Sequence, residues 1–480
     1  MQQKEMKTCQ NCKQDFIIEL EDFEFYEKIK VPPPTFCPEC RMQRRMAFRN
    51  ERILYRRSCD SCKKIVIGIY PEQVPFPVYC QDCWYSDKWD SLTHAVEYDF
   101  SRPFFEQFRD LQNKVPRMHT NNYPGSRMVN SDYTNCAGDL NNCYLVFGAL
   151  SDWNCYYCHY TSFSRDTMDV LYSINNERCY ECLDIEGCYN VLFSQSCVQC
   201  RDSAFLFDCK NCSDCVGCTG LRNRSYSIFN KQYSKEEYFV KKAELGLDSY
   251  KNIQTFKTRF LKEIYFSFPR KYYHGQMNKG FSGDYLSNSE KTFNAFYTKN
   301  ARSSRFLFWC INALDTYDYF AWGDIEFSYE CVATGDKAYN IKFCQTSWSG
   351  IKELEYCDLC MSSSDLFGCI GLRNKQYCIL NKQYSKEEYE ILVERIKKHM
   401  NEMPYKDTAG CSYSYGEYPP IQISAYAYNE SVAQEHFPLT KDDAIRRGYI
   451  WREQEEKQYN ITLKAESLPD KIEGVQDSIT

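Results

Sequence analysis

Histidine is scarce in this 480-residue chain: six side chains, at 94, 119, 159, 274, 399 and 436. Only His159, beside Cys155 and Cys158, sits in a ligand-like setting, and a packed or surface histidine is the simpler reading. No apolar run of membrane-spanning length is present, and the opening MQQKEMKTCQNCKQDF lacks the apolar core of a signal peptide. Nor is there a Walker loop, a dinucleotide fingerprint, a nucleophile elbow or a metalloprotease motif. Positive charge is not in excess, because 59 Lys and Arg face 65 Asp and Glu for a net charge of −6. The chain as a whole is therefore not a polycation built to coat nucleic acid, and any such contact is local. These absences lead to an expectation of a cytoplasmic protein with no membrane contact, no evident small-molecule substrate and no enzymatic activity.

What is abundant is cysteine, with 29 residues, and tyrosine, with 40. Without a secretory leader the thiols are expected reduced or metal-bound rather than disulfide-linked. Hydrophobic residues make up 43% and aromatics 16%, which marks a folding chain, and the length implies three or four units.

Eight cysteines form four Cys-x-x-Cys pairs near the start: Cys9/Cys12, Cys37/Cys40, Cys59/Cys62 and Cys80/Cys83. Each pair offers two soft ligands from one tight turn, so two pairs complete a tetrahedral zinc site. Four pairs give two structural Zn²⁺ sites, each with four cysteine ligands and no open position for catalysis. Spacing alone admits sequential pairing, a middle ribbon flanked by the outer pairs, or a cross-braced arrangement.

Residues 9–45 resemble the small bacterial "probable zinc-ribbon" family. The shared run is Cys9-x-x-Cys12, Phe16, an acidic stretch, Phe25-Tyr26, Pro33-Pro34 and Cys37-Pro38-x-Cys40-Arg41. The acidic stretch is longer here than in the family. The resemblance implies zinc ligation by Cys9, Cys12, Cys37 and Cys40, and hence sequential pairing. The whole chain also resembles uncharacterised bacterial proteins that join such ribbons to Cys/Tyr-rich repeats. That likeness implies a shared architecture rather than an activity.

Between the second and third pairs lie seven arginines. Residues 41–57 contain neither Pro nor Gly, so a helix is expected there. At 100° per residue, Arg41, Arg44, Arg45, Arg49, Arg52 and Arg56 fall on one arc, with Met42, Met46 and Ile53 beside it. Guanidinium forks match phosphate geometry, which makes this face a candidate contact for RNA or DNA. The competing reading neutralises the arginines internally, with Asp15, Glu19, Glu21, Asp22, Glu24 and Glu27 of the first ribbon as partners, or uses them on a protein partner.

Beyond a connector with a short helix expected around Pro103 to Lys114, the chain repeats itself. GLRNRSYSIFNKQYSKEEY at 220–238 returns as GLRNKQYCILNKQYSKEEY at 371–389. Each copy ends in a Ser-x-x-Glu capping box that opens a helix (Ser234 and Glu237, Ser385 and Glu388). Upstream of each lie short aromatic and β-branched runs with turn residues between them, and cysteines step by twelve (143 to 155, 188 to 200, 197 to 209). Two tandem β-solenoid-like blocks are the expected fold, with a β-sandwich pair as the alternative. The run Cys209-x-x-Cys212-x-x-Cys215-x-x-Cys218 looks like a metal cluster, yet its counterparts in the second copy are Cys360, Ser363, Leu366 and Cys369. A position that accepts both Cys and Leu reads as core.

The expected organisation is mainly β with small α elements. A zinc ribbon with the arginine helix spans 1–57, a second ribbon 58–90 and a connector 91–120. Repeat block 1 spans 121–232 and a helical lid or linker 233–276. Repeat block 2 spans 277–383, and a helical lid and tail 384–480. The function expected is a zinc-binding scaffold, with RNA contact through the arginine helix or, alternatively, protein contact through aromatic faces. A carbohydrate-active β-helix enzyme is a third, weaker reading.

Overall fold

The computed structural model describes residues 4–453 and 463–476. It is mainly β, with two large sheets and short helices, and separates into two compact units: Met1–Thr120 with Lys271–Arg452, and Asn121–Arg270 with Glu453–Thr480.

The second unit is built on a parallel ladder with a register of twelve residues. Tyr144 pairs with Tyr156, Tyr156 with Met168, Met168 with Tyr180 and Tyr180 with Leu192. Within each turn of the ladder a finer period of three operates. Asn142, Leu145, Gly148 and Ser151 all have positive φ, between 52° and 61°. The residue after each one, Cys143, Val146, Ala149 and Asp152, is buried. Left-handed backbone is unfavourable for most L-residues and least so for Gly, Asn and Asp. Those residues recur at such bends, where Asn130, Asn142, Asn154 and Asp166 hydrogen-bond side chain to side chain at twelve-residue intervals.

Four inward positions per turn explain the cysteines. Cys209, Cys212, Cys215 and Cys218 are the four inward residues of one turn, each at most 1% exposed. Their sulfurs are satisfied by backbone, as the Cys209 thiol donates to the carbonyls of Phe207 and Cys218. The core reading of this run holds, since Cys360, Ser363, Leu366 and Cys369 are buried too.

The first unit contains the second ladder. Its extended run Glu290–Val332 is 43 residues long and bends at φ > 0 on every third residue from Lys291 to Asp318. Two later steps take thirteen residues (Tyr329 to Lys342, Lys342 to Glu355), after which twelve returns. One outer face of this ladder carries Tyr317, Tyr329, Phe343, Tyr356 and Phe367. It is buried in the largest core of the chain, under Phe25, Tyr26, Phe104, Phe105, Tyr413 and Tyr415.

Both ladders finish alike. A short antiparallel strand (Lys231–Gln232, Lys382–Gln383) folds back on the last parallel strand. A capped helix follows in each, Lys235–Glu244 and Lys386–Glu402. In the turn, the Asn230 side chain accepts from the amide of Thr219 and donates to its carbonyl, and Asn381 does the same to Ile370. The connector helix is Phe104–Gln112, and in the tail Thr440 caps Lys441–Arg446. The parts of the expected tail at 454–462 and 477–480 lie outside the described residues.

Candidate metal centres

Each group of four thiols is assembled from two local devices. The first is a hairpin turn. Strands Glu5–Thr8 and Asp15–Ile18 pair antiparallel around Cys9 and Cys12, and strands Tyr55–Ser58 and Ile65–Gly68 do so around Cys59 and Cys62. Lys13 (φ 62°) and Lys63 (φ 65°) close the turns, their amides donating to the carbonyls of Cys9 and Cys59. The second device is a helix start. Cys37 caps the helix Pro38–Met46 and Cys80 caps Gln81–Tyr85, with Cys40 and Cys83 in the first turns. Free amides and the positive end of the backbone dipole at such a start favour thiolate over thiol. The second hairpin begins at Tyr55, ahead of the boundary expected at 58.

The two devices meet through sulfur. The Cys37 amide donates to Cys9 Sγ at 3.3 Å, the Cys80 amide to Cys59 Sγ at 3.1 Å, and Asn11 Nδ2 to Cys40 Sγ at 3.3 Å. Cys9, Cys12, Cys37 and Cys40 lie with all sulfurs within 4.8 Å of one another, and so do Cys59, Cys62, Cys80 and Cys83. The Cys12–Cys37 and Cys62–Cys80 separations are both 3.7 Å. A tetrahedral ion with metal–sulfur bonds of about 2.3 Å requires edges of about 3.8 Å. The pairing is thus sequential, and the donor chemistry fits a four-thiolate ion.

The thiols within a group hold one another apart in acidity. The Cys37 and Cys40 thiols hydrogen-bond to Cys9 and hold it well below the usual thiol range, while Cys37 is pushed up to about 11. Burial works against the Cys59 thiolate, but amides from Cys62, Cys80 and Ser61 outweigh it and bring Cys59 down to about 7. A metal that takes all four sulfurs must therefore displace protons that the metal-free group retains at neutral pH.

The arginine face expected over 41–57 requires correction. The helix ends at Met46, Arg49 and Arg52 follow it in irregular backbone, and Arg56 lies in the strand Tyr55–Ser58. Arg41, Arg44, Arg45 and Arg49 are at most 6% exposed. Arg41 pairs with Asp318 at 2.8 Å, Arg44 with Glu330 and Glu417 at 3.0 and 3.1 Å, and Arg45 with Asp318 and Glu330 at 3.1 and 3.5 Å. Three guanidiniums meet three carboxylates, so the cluster is close to neutral. Burial works against the charge of Arg44, but Glu330 and Glu417 outweigh it and raise its pKa. Arg49 pairs with Glu51, and the half-exposed Arg52 with Glu435. Arg41, Arg44 and Arg45, expected to face phosphates, instead fasten the helix to the second ladder, and Arg56 is left exposed on its strand. Nor are the partners those of the acidic stretch, most of which forms the helix Leu20–Ile29: of its six named carboxylates only Asp22 is buried, and it pairs with Arg305 at 2.6 Å.

Among the described residues, Cys155, Cys158 and His159 do not form a ligand group, and neither do Cys209, Cys212, Cys215 and Cys218. His159 stacks on Tyr160 outside the ladder. Arg222 bonds Asp208, and Arg373 bonds the Ser86 carbonyl and stacks over Trp84, so the repeated Arg-Asn pair serves local packing. Substituting Cys209→Ala with Cys212→Ala is expected to leave the metal content unchanged while lowering stability by about 1 kcal/mol per site, through lost packing. Elemental analysis beside thermal melting checks both halves.

No family model matches the chain, and no curated protein matches it. Among solved structures, the crystal structure of a protein assigned as an acetyltransferase from Desulfovibrio desulfuricans is 8% identical, over 58% of this chain and 86% of that one. Its TM-score is 0.10, and it carries no argument about fold or activity.

Proposed function

We propose that this chain is a non-enzymatic, zinc-held scaffold for protein partners, built on two β-solenoids. The observation that carries the reading is the pair of four-cysteine groups, each with sulfur–sulfur separations suited to a tetrahedral ion. Four protein ligands leave no position open for water or substrate, so the metal's role there is to join hairpin to helix. The solenoid reading rests on the recurring twelve-residue step, which the first ladder keeps throughout and the second keeps apart from a few turns, and on four inward residues per turn. The 29 cysteines, none of them in a disulfide, fit a reducing, cytoplasmic setting. Protein rather than nucleic acid is the partner class because Arg41, Arg44, Arg45 and Arg49 are spent on buried carboxylates, while Tyr133, Tyr144, Trp153, Tyr156, Tyr157 and Tyr180 stand exposed on the first ladder.

Elemental analysis of the purified chain is the test, with two zinc ions per chain expected. One ion per chain, or the visible absorption of iron–thiolate, would overturn the zinc assignment. Retention of RNA at low ionic strength would overturn the protein-partner half.

A further inference from the structure

The two ladders carry the same column of residues on the same face, and only one copy of that column is covered along its length, down to a half-buried Phe306. Counting back from the closing helix, the first ladder presents Phe229, Gly217, Phe205, Phe193, Glu181, Asp169 and Tyr157 at successive left-handed bends. The second presents Leu380, Gly368, Tyr356, Phe343, Glu330, Asp318 and Phe306. The strand pairings confirm the alignment over the shared turns, since the residue before each bend steps from Tyr180 to Leu192 to Ala204 in one and from Tyr329 to Lys342 to Glu355 in the other. Aromatic, Asp, Glu, Phe, aromatic, Gly is thus conserved between the copies position by position, across the two thirteen-residue turns.

The glycines show that the column is a seat. A Cβ on Gly217 would stand 3.0 Å from the ring of Phe256, and one on Gly368 would stand 2.9 Å from that of Phe104. Each ladder therefore admits an aromatic from a covering helix at this bend, Tyr250–Phe260 in one and Phe104–Gln112 in the other. Further along the second ladder the cover continues without a break. Arg44 and Arg45 meet Glu330, and Arg41 and Arg45 meet Asp318, with Arg41 also placed over the ring of Phe306 at 5.3 Å.

Along the first ladder the cover stops. Lys257 reaches Glu181 at 2.7 Å, and that carboxylate remains 38% exposed. Asp169 is exposed and has no ion pair among the described residues. Tyr157, in the place of Phe306, is 50% exposed, and Tyr133, Tyr144 and Tyr180 lie open at 38–41%. Two carboxylates one turn apart, ringed by open tyrosines, are the groups that hold the arginine helix in the other copy.

We propose that this bare stretch, centred on Asp169 and Glu181 and flanked by Tyr144, Tyr157 and Tyr180, receives an arginine-bearing helix of a partner protein. The partner places a guanidinium on each carboxylate and one over the Tyr157 ring, as Arg41, Arg44 and Arg45 do within this chain. Arginine rather than lysine is specified, because the paired carboxylates accept forked donors and the ring accepts a planar cation. The inference names the partner class of the scaffold reading. It concerns the unit that holds neither metal group, so a failed zinc assignment would leave its test unaffected.

The probe is a synthetic peptide of residues 36–48, cross-linked to hold a helix, with Cys37→Ser and Cys40→Ser, titrated into the full chain by fluorescence anisotropy. The chain's own helix occupies the second ladder, so the free peptide reads the first. Saturable binding is expected, weakened about tenfold or more by Asp169→Asn with Glu181→Gln, weakened likewise by Tyr157→Ala, and unchanged by Glu177→Gln off this face. Absence of saturable binding at low ionic strength, or equal affinity for the carboxylate double variant, overturns the proposal. A concentration-dependent dimer in sedimentation that Tyr157→Ala abolishes, with no peptide binding, would give the face to a second copy and overturns it equally.

Discussion

Replacing Cys59 with serine is expected to lower the bound metal from two ions per chain to one and to unfold the hairpin Tyr55–Gly68. Cys59 is fully buried, and its sulfur accepts the amide that opens the helix Gln81–Tyr85, so one atom ties hairpin to helix within the four-thiol group. A short two-stranded hairpin is marginal by itself, whereas a structural zinc contributes apparent binding energies of about 10–16 kcal/mol at neutral pH. Losing one of four ligands gives up a large share of that. Elemental analysis should read one ion, and limited trypsin digestion should newly cut at Lys63 and Lys64. The group at Cys9 should keep its ion, because its four ligands are separate. Retention of both ions in Cys59→Ser would refute the assignment of this thiol as a ligand.

The second large effect lies in the buried ion cluster. Glu330→Leu leaves Arg45 and Arg41 sharing Asp318, with one uncompensated guanidinium in the core, and should cost about 3–5 kcal/mol. Arg45→Leu should cost a comparable amount by stranding a carboxylate. The double substitution Arg45→Leu with Glu330→Leu leaves Arg41 with Asp318 and Arg44 with Glu417, two intact pairs. It should lose far less than the sum of the single costs, giving a coupling energy well above 1 kcal/mol in a denaturation cycle. Additive losses would show that the arginines act independently.

The two four-cysteine groups were legible in the sequence because their chemistry is local. A Cys-x-x-Cys turn declares itself within four residues, and resemblance supplied the partner pair. Internal neutralisation of the arginines was the competing reading, but its partners were misplaced because they are not local. Asp318 and Glu330 lie some 280 residues on, on a ladder whose outer face cannot be told from its inner face by alternation. The period of three was visible in Cys209, Cys212, Cys215 and Cys218, and their register of twelve was read correctly. The reason for that spacing was not, because a left-handed bend at every third residue leaves only a weak mark in composition. It can be occupied by Asn, Asp and Gly, but also by Leu145, Tyr157 and Phe193. The capping boxes at Ser234 and Ser385 and the short helix after Pro103 were read where they stand, since a helix start is a property of a few adjacent residues.

The side chains of Asn230 and Asn381 bear on a different matter, the limit of growth. A parallel ladder in which each strand templates the next has no inherent last strand. Its final strand presents a row of amides and carbonyls to whatever extended chain arrives, including another molecule's. Asn230 answers the Thr219 amide and carbonyl with one carboxamide, and Asn381 answers those of Ile370. Each asparagine thus stands in for one peptide unit of the turn that does not follow. The Asn-Lys-Gln-Tyr in both copies of the repeat is in this sense a stop signal, written where each ladder gives way to its capped helix.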